Sequence, residues 1–225
     1  MDDTVKKMII GTIVLALASM YGGDSLGSWY TFKIDGAEYE DVVTNTDTWD
    51  IEREYSPYKS SFNFMLTEYE VKLEMDGSQM DGKSDYDDWD AAFCDSDCDE
   101  LNDLMTGKIQ KLLYVVVLAG FAALYFLNQD DKEKGAMACL AMGGAALLAV
   151  VIFTLSFPEA MDDDQNNFDE IGEAPSFFGD KDIVEDKVEA DAKWRPGIAF
   201  ALAGLSGILG IATYWKLKSE SPDAS

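Results

Sequence analysis

The chain contains no histidine, and only 17 of its 225 residues are basic against 43 acidic ones. Without histidine it lacks the side chain that most often acts as a general base and as a neutral metal ligand. Most hydrolase and zinc-centre readings fall with it. A net charge of -26 leaves no basic patch for a phosphate backbone, so no nucleic acid is expected as a partner, and cations are the natural counter-species. Nor does the sequence hold a G-x-S-x-G elbow, a P-loop or a dinucleotide fingerprint. Carboxylates are plentiful, but a glycosidase pair is defined by its separation in space, so their number is uninformative. No enzyme activity is expected on these grounds.

Cysteine is scarce, at three residues. Cys139 lies in an apolar run and is expected to behave as a small buried hydrophobe. Cys94 and Cys98 lie in a polar region and are expected to form a disulfide if that region is outside the cell. Bridge geometry allows this only if Cys94 lies in the loop before the following helix. A C-x-x-x-C pair without further ligands does not point to zinc.

Apolar residues, 48% of the chain, are gathered into blocks separated by densely acidic stretches. Two blocks within residues 109–157 are joined by a short charged link. Each approaches the roughly 20 residues needed to cross a bilayer core of about 30 Å, and so short a link makes the two helices antiparallel. With an earlier and a later block, the expected fold class is membrane α-helical: a four-transmembrane-helix bundle with a small extracellular antiparallel β-sheet in the first loop. The expected segments are a cytoplasmic N-terminus (1–7), TM1 (8–22), extracellular loop 1 with the sheet (23–106) and TM2 (107–127). A cytoplasmic link (128–135), TM3 (136–157), extracellular loop 2 (158–195), TM4 (196–215) and a cytoplasmic tail (216–225) follow. The first block also has features of a cleaved signal sequence, but retention is favoured because the later helices need packing partners.

Lys6, Lys7, Lys132, Lys134, Lys216 and Lys218 flank the apolar blocks on one side, which the positive-inside rule makes cytoplasmic. The expected location is therefore the cell membrane, multi-pass, with both termini inside. Residues 22–103 carry 23 acidic against 5 basic side chains and residues 158–195 carry 13 against 4, so nearly all the net charge falls outside. Such a field attracts cations, although an acidic surface also suits a protein that must stay solvated in salty surroundings.

In the first loop, Trp29 to Ile34 is β-prone and ends at an Asp35-Gly36 turn signal, with Tyr39 to Thr44 as its hairpin partner. Residues 48–55 read as a third strand. Phe62, Phe64 and Leu66 alternate, and Tyr69, Val71, Leu73 and Met75 continue on the shifted phase after a break near Thr67 and Glu68. About four strands are expected. Residues 76–90 read as an acidic loop. Leu101, Leu104, Met105, Ile109 and Leu112 then fall at helical spacing, with Ser96 or Asp97 as cap, so TM2 is expected to begin well outside the bilayer. Trp194, Tyr214 and Trp215 suit the two interfaces, and Pro196 suits a first helical turn. Ala141, Ala145 and Ala149 form one small-residue stripe and Ala199, Ala203 and Gly207 another, suited to close helix packing within the bundle or between copies. No charged residue lies in the middle of any apolar block, which argues against a coupled transporter.

Residues 162–173 resemble a calcium loop, with Asp162, Asp164, Asn166, Glu170 and Glu173 as candidate oxygen ligands. Asn167 stands where the turn glycine belongs and Asp169 where an apolar residue is expected. A solvated acidic loop is the competing reading.

In this order of features the chain resembles the claudin and peripheral-myelin-protein type of four-helix membrane protein. Gly27-Ser28-Trp29-Tyr30-Thr31-Phe32 is similar to that family's segment around the tryptophan after the first helix, and Val43-Thr44-Asn45-Thr46-Asp47-Thr48-Trp49 to the segment before its loop signature. The family's G-L-W and nearby cysteine pair are missing after Trp49. The resemblance implies internal termini, a sheet in the first loop and a second helix that projects outward. The expected function is a non-enzymatic structural or interaction role through the acidic sheet domain, by homo-oligomer formation or with a partner membrane protein. The alternative is a cation-conducting or calcium-responsive assembly.

Overall fold

The computed structural model describes residues 2–22, 26–45, 50–75, 78–86, 99–164, 177–185 and 188–220. Its helices are α1 (Asp3–Tyr21), α2 (Asp99–Asn128), α3 (Lys132–Asp164) and α4 (Ile198–Ser219). All four are long and apolar enough to cross a membrane. In the bundle, α1 packs on α2 and α4, α3 packs on the same two, and α1 and α3 lie diagonally opposite.

The outer faces of the helices are apolar. On α1, Ile10, Val14, Leu17 and Tyr21 are exposed; on α4, Ile198, Leu205, Ile208 and Trp215 are. These spacings each follow one helical stripe. A stripe that is both solvent-facing and apolar inverts the pattern of a helix packed in a water-soluble domain.

Backbones approach closely where side chains vanish. A Cβ on Gly143 of α3 would stand 2.6 Å from the backbone nitrogen of Ile211 and 2.9 Å from the Gly207 carbonyl oxygen on α4. Ala145, Ala149, Ala199, Ala203 and Gly207 are buried in this bundle, whereas Ala141 is exposed, so most of both stripes is used within the chain. Ser206 Oγ donates to the Thr12 carbonyl across α4 and α1 at 3.0 Å.

The link between α2 and α3 is tight. Asp130 takes a left-handed φ of 58°, which aspartate tolerates better than most residues. Asp131 then caps α3, its carboxylate accepting from the Lys134 backbone N–H at 3.1 Å. The α2 helix begins at Asp99, as the phase predicts, and Leu101, Leu104, Met105 and Ile109 are all at most 1% exposed. A π-helical stretch at Asp103–Ile109 is built into it. The α3 helix does not stop before Pro158. It continues to Asp164 because Phe157, Ala160 and Met161 are buried, and that packing outweighs the hydrogen bond proline cannot make.

The sheet departs furthest from expectation. It has six strands in the order β4-β3-β2-β1-β6-β5, all neighbours antiparallel. These are β1 (Tyr30–Asn45), β2 (Asp50–Phe64), β3 (Glu68–Met75), β4 (Ser78–Asp85), β5 (Gly179–Glu185) and β6 (Val188–Pro196). Two strands therefore come from the second loop, and the sheet is not confined to the first. Asp35-Gly36 is no turn: β1 runs straight through it, paired to Lys59 and Tyr58 of β2 and to Asp191 and Ala190 of β6. Pairing on both sides satisfies the backbone there, so the local turn preference loses. Residues 78–85, expected as loop, form β4 by adding to the edge of β3. Pro196 ends β6 and does not open a helix, since α4 starts at Ile198. β3 starts at Glu68, next to the expected break, but β2 already ends at Phe64, so Leu66 lies in the turn and not in the strand.

Candidate functional site

The site is built where the sheet meets the bundle. Trp29 is fully buried, and its indole N–H donates to the Ser19 carbonyl at 2.9 Å, near the C-terminus of α1 where helical carbonyls have no intrahelical partner. Its ring meets Phe153 edge-on with centroids 5.1 Å apart and Phe200 at 6.3 Å. Tyr30 packs on Phe157 at 4.4 Å, and its hydroxyl donates to the Phe177 carbonyl at 3.3 Å. Burial pushes the Tyr30 phenol well up, so it stays protonated and keeps donating. Trp194, expected at an interface, is instead buried on the inner sheet face, stacked on Phe32 at 6.0 Å. One aromatic cluster thus joins α1, α3, α4, β1 and β6.

Backbone bonds lock the same junction. Gly197 N–H donates to the Trp29 carbonyl at 2.8 Å and Ala199 N–H to the Ser28 carbonyl at 2.9 Å. A Cβ on Gly197 would lie 2.1 Å from the Ser28 oxygen, so only glycine permits this approach. At the other side of the sheet, the buried Tyr86 hydroxyl donates to the Met65 carbonyl at 2.6 Å. Burial raises this phenol far above its usual 10.

Opposite the aromatic face lies a polar face. Register places Thr31, Asn63 and Glu70 side by side across β1, β2 and β3, with Arg195 of β6 and Lys83 of β4 completing the row. Ser28 Oγ is 3.0 Å from Thr31 Oγ1, which donates to Asn63 Oδ1 at 3.2 Å; Asn63 Nδ2 donates to Glu70 Oε2 at 3.1 Å. Lys72 pairs with Glu70 at 3.0 Å. Glu70 is buried, and Asn63 and Lys72 satisfy its carboxyl oxygens. The sequence does not announce this face, because its polar contacts need β1, β2 and β3 in fixed register and Arg195 comes from β6. The signal for β6 was the alternation Ala190, Asp191, Ala192, Lys193, Trp194, Arg195, which has the strand period of two.

The candidate calcium ligands are only partly within the described residues. Asp162 lies in the last turn of α3; Asn166, Glu170 and Glu173 fall outside, as do Cys94 and Cys98 of the expected disulfide. Asp164 has another task. Its carboxylate accepts from the backbone N–H groups of Glu100 at 3.2 Å and Leu101 at 2.8 Å, capping α2 from the end of α3. An ion would have to compete with both bonds. Among the described residues no three acidic or cysteine side chains gather in a metal-binding group.

Burial raises the Asp164 carboxyl above 3.8, although its two backbone donors pull the other way. A native state that binds this proton more tightly than the unfolded chain gains from it fully below the unfolded value. The gain is lost as pH rises through the folded value. Asp164→Ala is expected to cost about 0.5–2 kcal/mol, the usual range for a lost helix cap. Asp164→Asn, which keeps an acceptor, is expected to cost less and to flatten this pH dependence. Thermal unfolding in detergent between pH 3 and 7 checks both.

These elements define a four-helix chain that carries a mixed-charge sheet domain at one end of its bundle. The chain matches no protein-family model and no curated protein.

Proposed function

We propose that this is a multi-pass membrane protein with a non-enzymatic structural or interaction role, exercised through the sheet domain. The observation that carries the proposal is the rigid display of a six-stranded sheet by four helices with apolar outer faces. Strands from both loops pair directly, and the aromatic junction fixes them to the bundle, so the polar face is held in one orientation without a partner present. Preorganisation of this kind lowers the entropy cost of association.

The orientation follows from the lysines. Lys216 pairs with Asp2 at 3.3 Å, bringing the start of α1 and the end of α4 together at the end opposite the sheet. With Lys6, Lys7, Lys132, Lys134 and Lys218 also there, that end is cytoplasmic and the sheet is outside the cell. With this orientation, the four helices and the sheet at one end of the bundle would follow a claudin-like order of features.

Cross-linking in native membranes is the test. It is expected to return a second copy or a distinct membrane protein joined through residues of the sheet. Recovery of isolated monomers alone, with nothing co-purifying, sinks the proposal. The cation reading is separated by vesicles and calcium: flux through the reconstituted chain, or a melting temperature raised by calcium, would favour it.

A further inference from the structure

Three basic side chains of β1 and β6 stand close together on the polar face, near the bundle end of the sheet. Lys33 of β1 stands directly opposite Lys193 of β6, and Arg195 lies two residues nearer the bundle on the same face. Like charges directly opposed across a ladder destabilise a sheet unless a counter-charge is supplied. Lys193 takes Asp191 as its ion-pair partner. Lys33 and Arg195 are exposed and, among the described residues, have no partner. In a chain of net charge -26, two cations without partners beside a third form a local basic group on the described part of the sheet. Further from the bundle the same face turns acidic, with Asp35, Asp191 and Asp182 in register.

Apolar surface borders this cationic group on the bundle side. Continuing the β5–β6 register from Gly179↔Trp194 puts Phe178 beside Arg195, and Phe178 is 64% exposed. Ile198, three residues after Arg195, is 51% exposed and begins the outward apolar stripe of α4 through Leu205 and Ile208. Three residues span at most about 10 Å. Arg195 therefore stands at headgroup height wherever that stripe meets lipid, with Lys33 one row further out on the same face.

We infer that this patch, Lys33 and Arg195 with Phe178 and Ile198, is a seat for an anionic phospholipid of the outer leaflet. The guanidinium and ammonium groups hold the lipid phosphate, and the two apolar side chains lie in the interfacial layer. The charge complementarity is specific in sign, since Lys33 and Arg195 have no carboxylate partner among the described residues, whereas Lys193 is served by Asp191 and by Asp180 opposite it on β5. The α4 stripe makes the patch continuous with lipid-facing surface. The inference rests on the membrane-spanning reading, and its test separates the two.

The full chain is reconstituted into phosphatidylcholine vesicles containing phosphatidylglycerol. Flotation reports insertion. Electron paramagnetic resonance of spin-labelled phosphatidylglycerol and phosphatidylcholine then reports which lipid is immobilised at the protein. The expected result is a roughly fivefold preference for phosphatidylglycerol, on the scale of a single basic residue near a charged surface. It should weaken as salt rises, disappear in Lys33→Gln/Arg195→Gln, and survive in Lys33→Arg. Both exposed positions lack partners among the described residues, so the double variant should melt like the parent. A chain that fails to float overturns the membrane reading and this inference together. One that floats but shows no preference, or the same preference in the double variant, overturns the inference alone. If the double variant instead dissociates an oligomer in pure phosphatidylcholine, the patch is a contact between copies and the lipid assignment is wrong.

Discussion

Trp29→Ala is expected to cost about 3–5 kcal/mol, the range for deleting a large buried aromatic side chain. Trp29 is fully buried, bonded to the Ser19 carbonyl and packed edge-on against Phe153 and Phe200, so its removal opens a cavity shared by α1, α3 and α4. Trp29→Phe keeps much of the packing but leaves the Ser19 carbonyl without its donor. That variant is expected to lose about 1–3 kcal/mol, the penalty for an unsatisfied buried polar group. Reversible unfolding in mixed micelles, followed by far-ultraviolet circular dichroism, orders the three proteins. Equal stability of Trp29→Ala and the parent would remove the junction from the account of how the sheet is held.

The second large effect lies lower in the bundle. Gly143→Leu should destabilise by about 3 kcal/mol, at the upper end for overpacking a tight interior. The added Cβ would meet backbone atoms of Gly207, Gly210 and Ile211, all within 3 Å, and helix backbone cannot move aside as a flexible side chain can. Its neighbour supplies the control. A Cβ on Gly144 meets nothing within 4 Å, so Gly144→Leu is expected to change stability by no more than about 0.5 kcal/mol. Melting temperatures of the pair test the distinction, and equal losses at both positions would remove interhelical approach as the cause, since Gly→Leu gains helix propensity at either site.

Both predictions concern parts of the chain whose sequence signals were uneven. The phase running from Leu101 to Ile109 was sufficient to extend α2 beyond the apolar block, because burial repeats every three or four residues along one helix. Strand β3 was legible for the same kind of reason, with Tyr69, Val71 and Leu73 alternating toward the inner face. By contrast β4, with the sequence Ser78 to Asp85, has no alternation; it forms because the edge of β3 offers unpaired backbone groups. The Asp35-Gly36 signal failed in the opposite sense, since two flanking strands outbid a sound local preference.

The candidate site shows the same division. Asp164 was expected among the oxygen ligands of a cation, and its carboxylate accepts from a backbone partner. That partner is the first turn of a helix 63 residues away in sequence at Leu101, which no local motif encodes. The Ser28–Thr31–Asn63–Glu70 chain of polar contacts likewise needs three strands in fixed register before any of its hydrogen bonds exists.

By itself, then, the sequence determined the features set by short periods and by composition: four apolar helices, a tight link between α2 and α3, the start of α2 ahead of its apolar block, and the concentration of acid between the helices. Each depends on side chains a few residues apart, where covalent geometry fixes which ones share a face. Only the tertiary structure decided that the two loops form one sheet, and that Lys33, Lys193 and Arg195 come to lie together on it. The reason is physical closure. β1 follows α1 and β6 precedes α4, and once those helices pack side by side, with Gly197 pressed against Ser28, the two strands are delivered to each other in register.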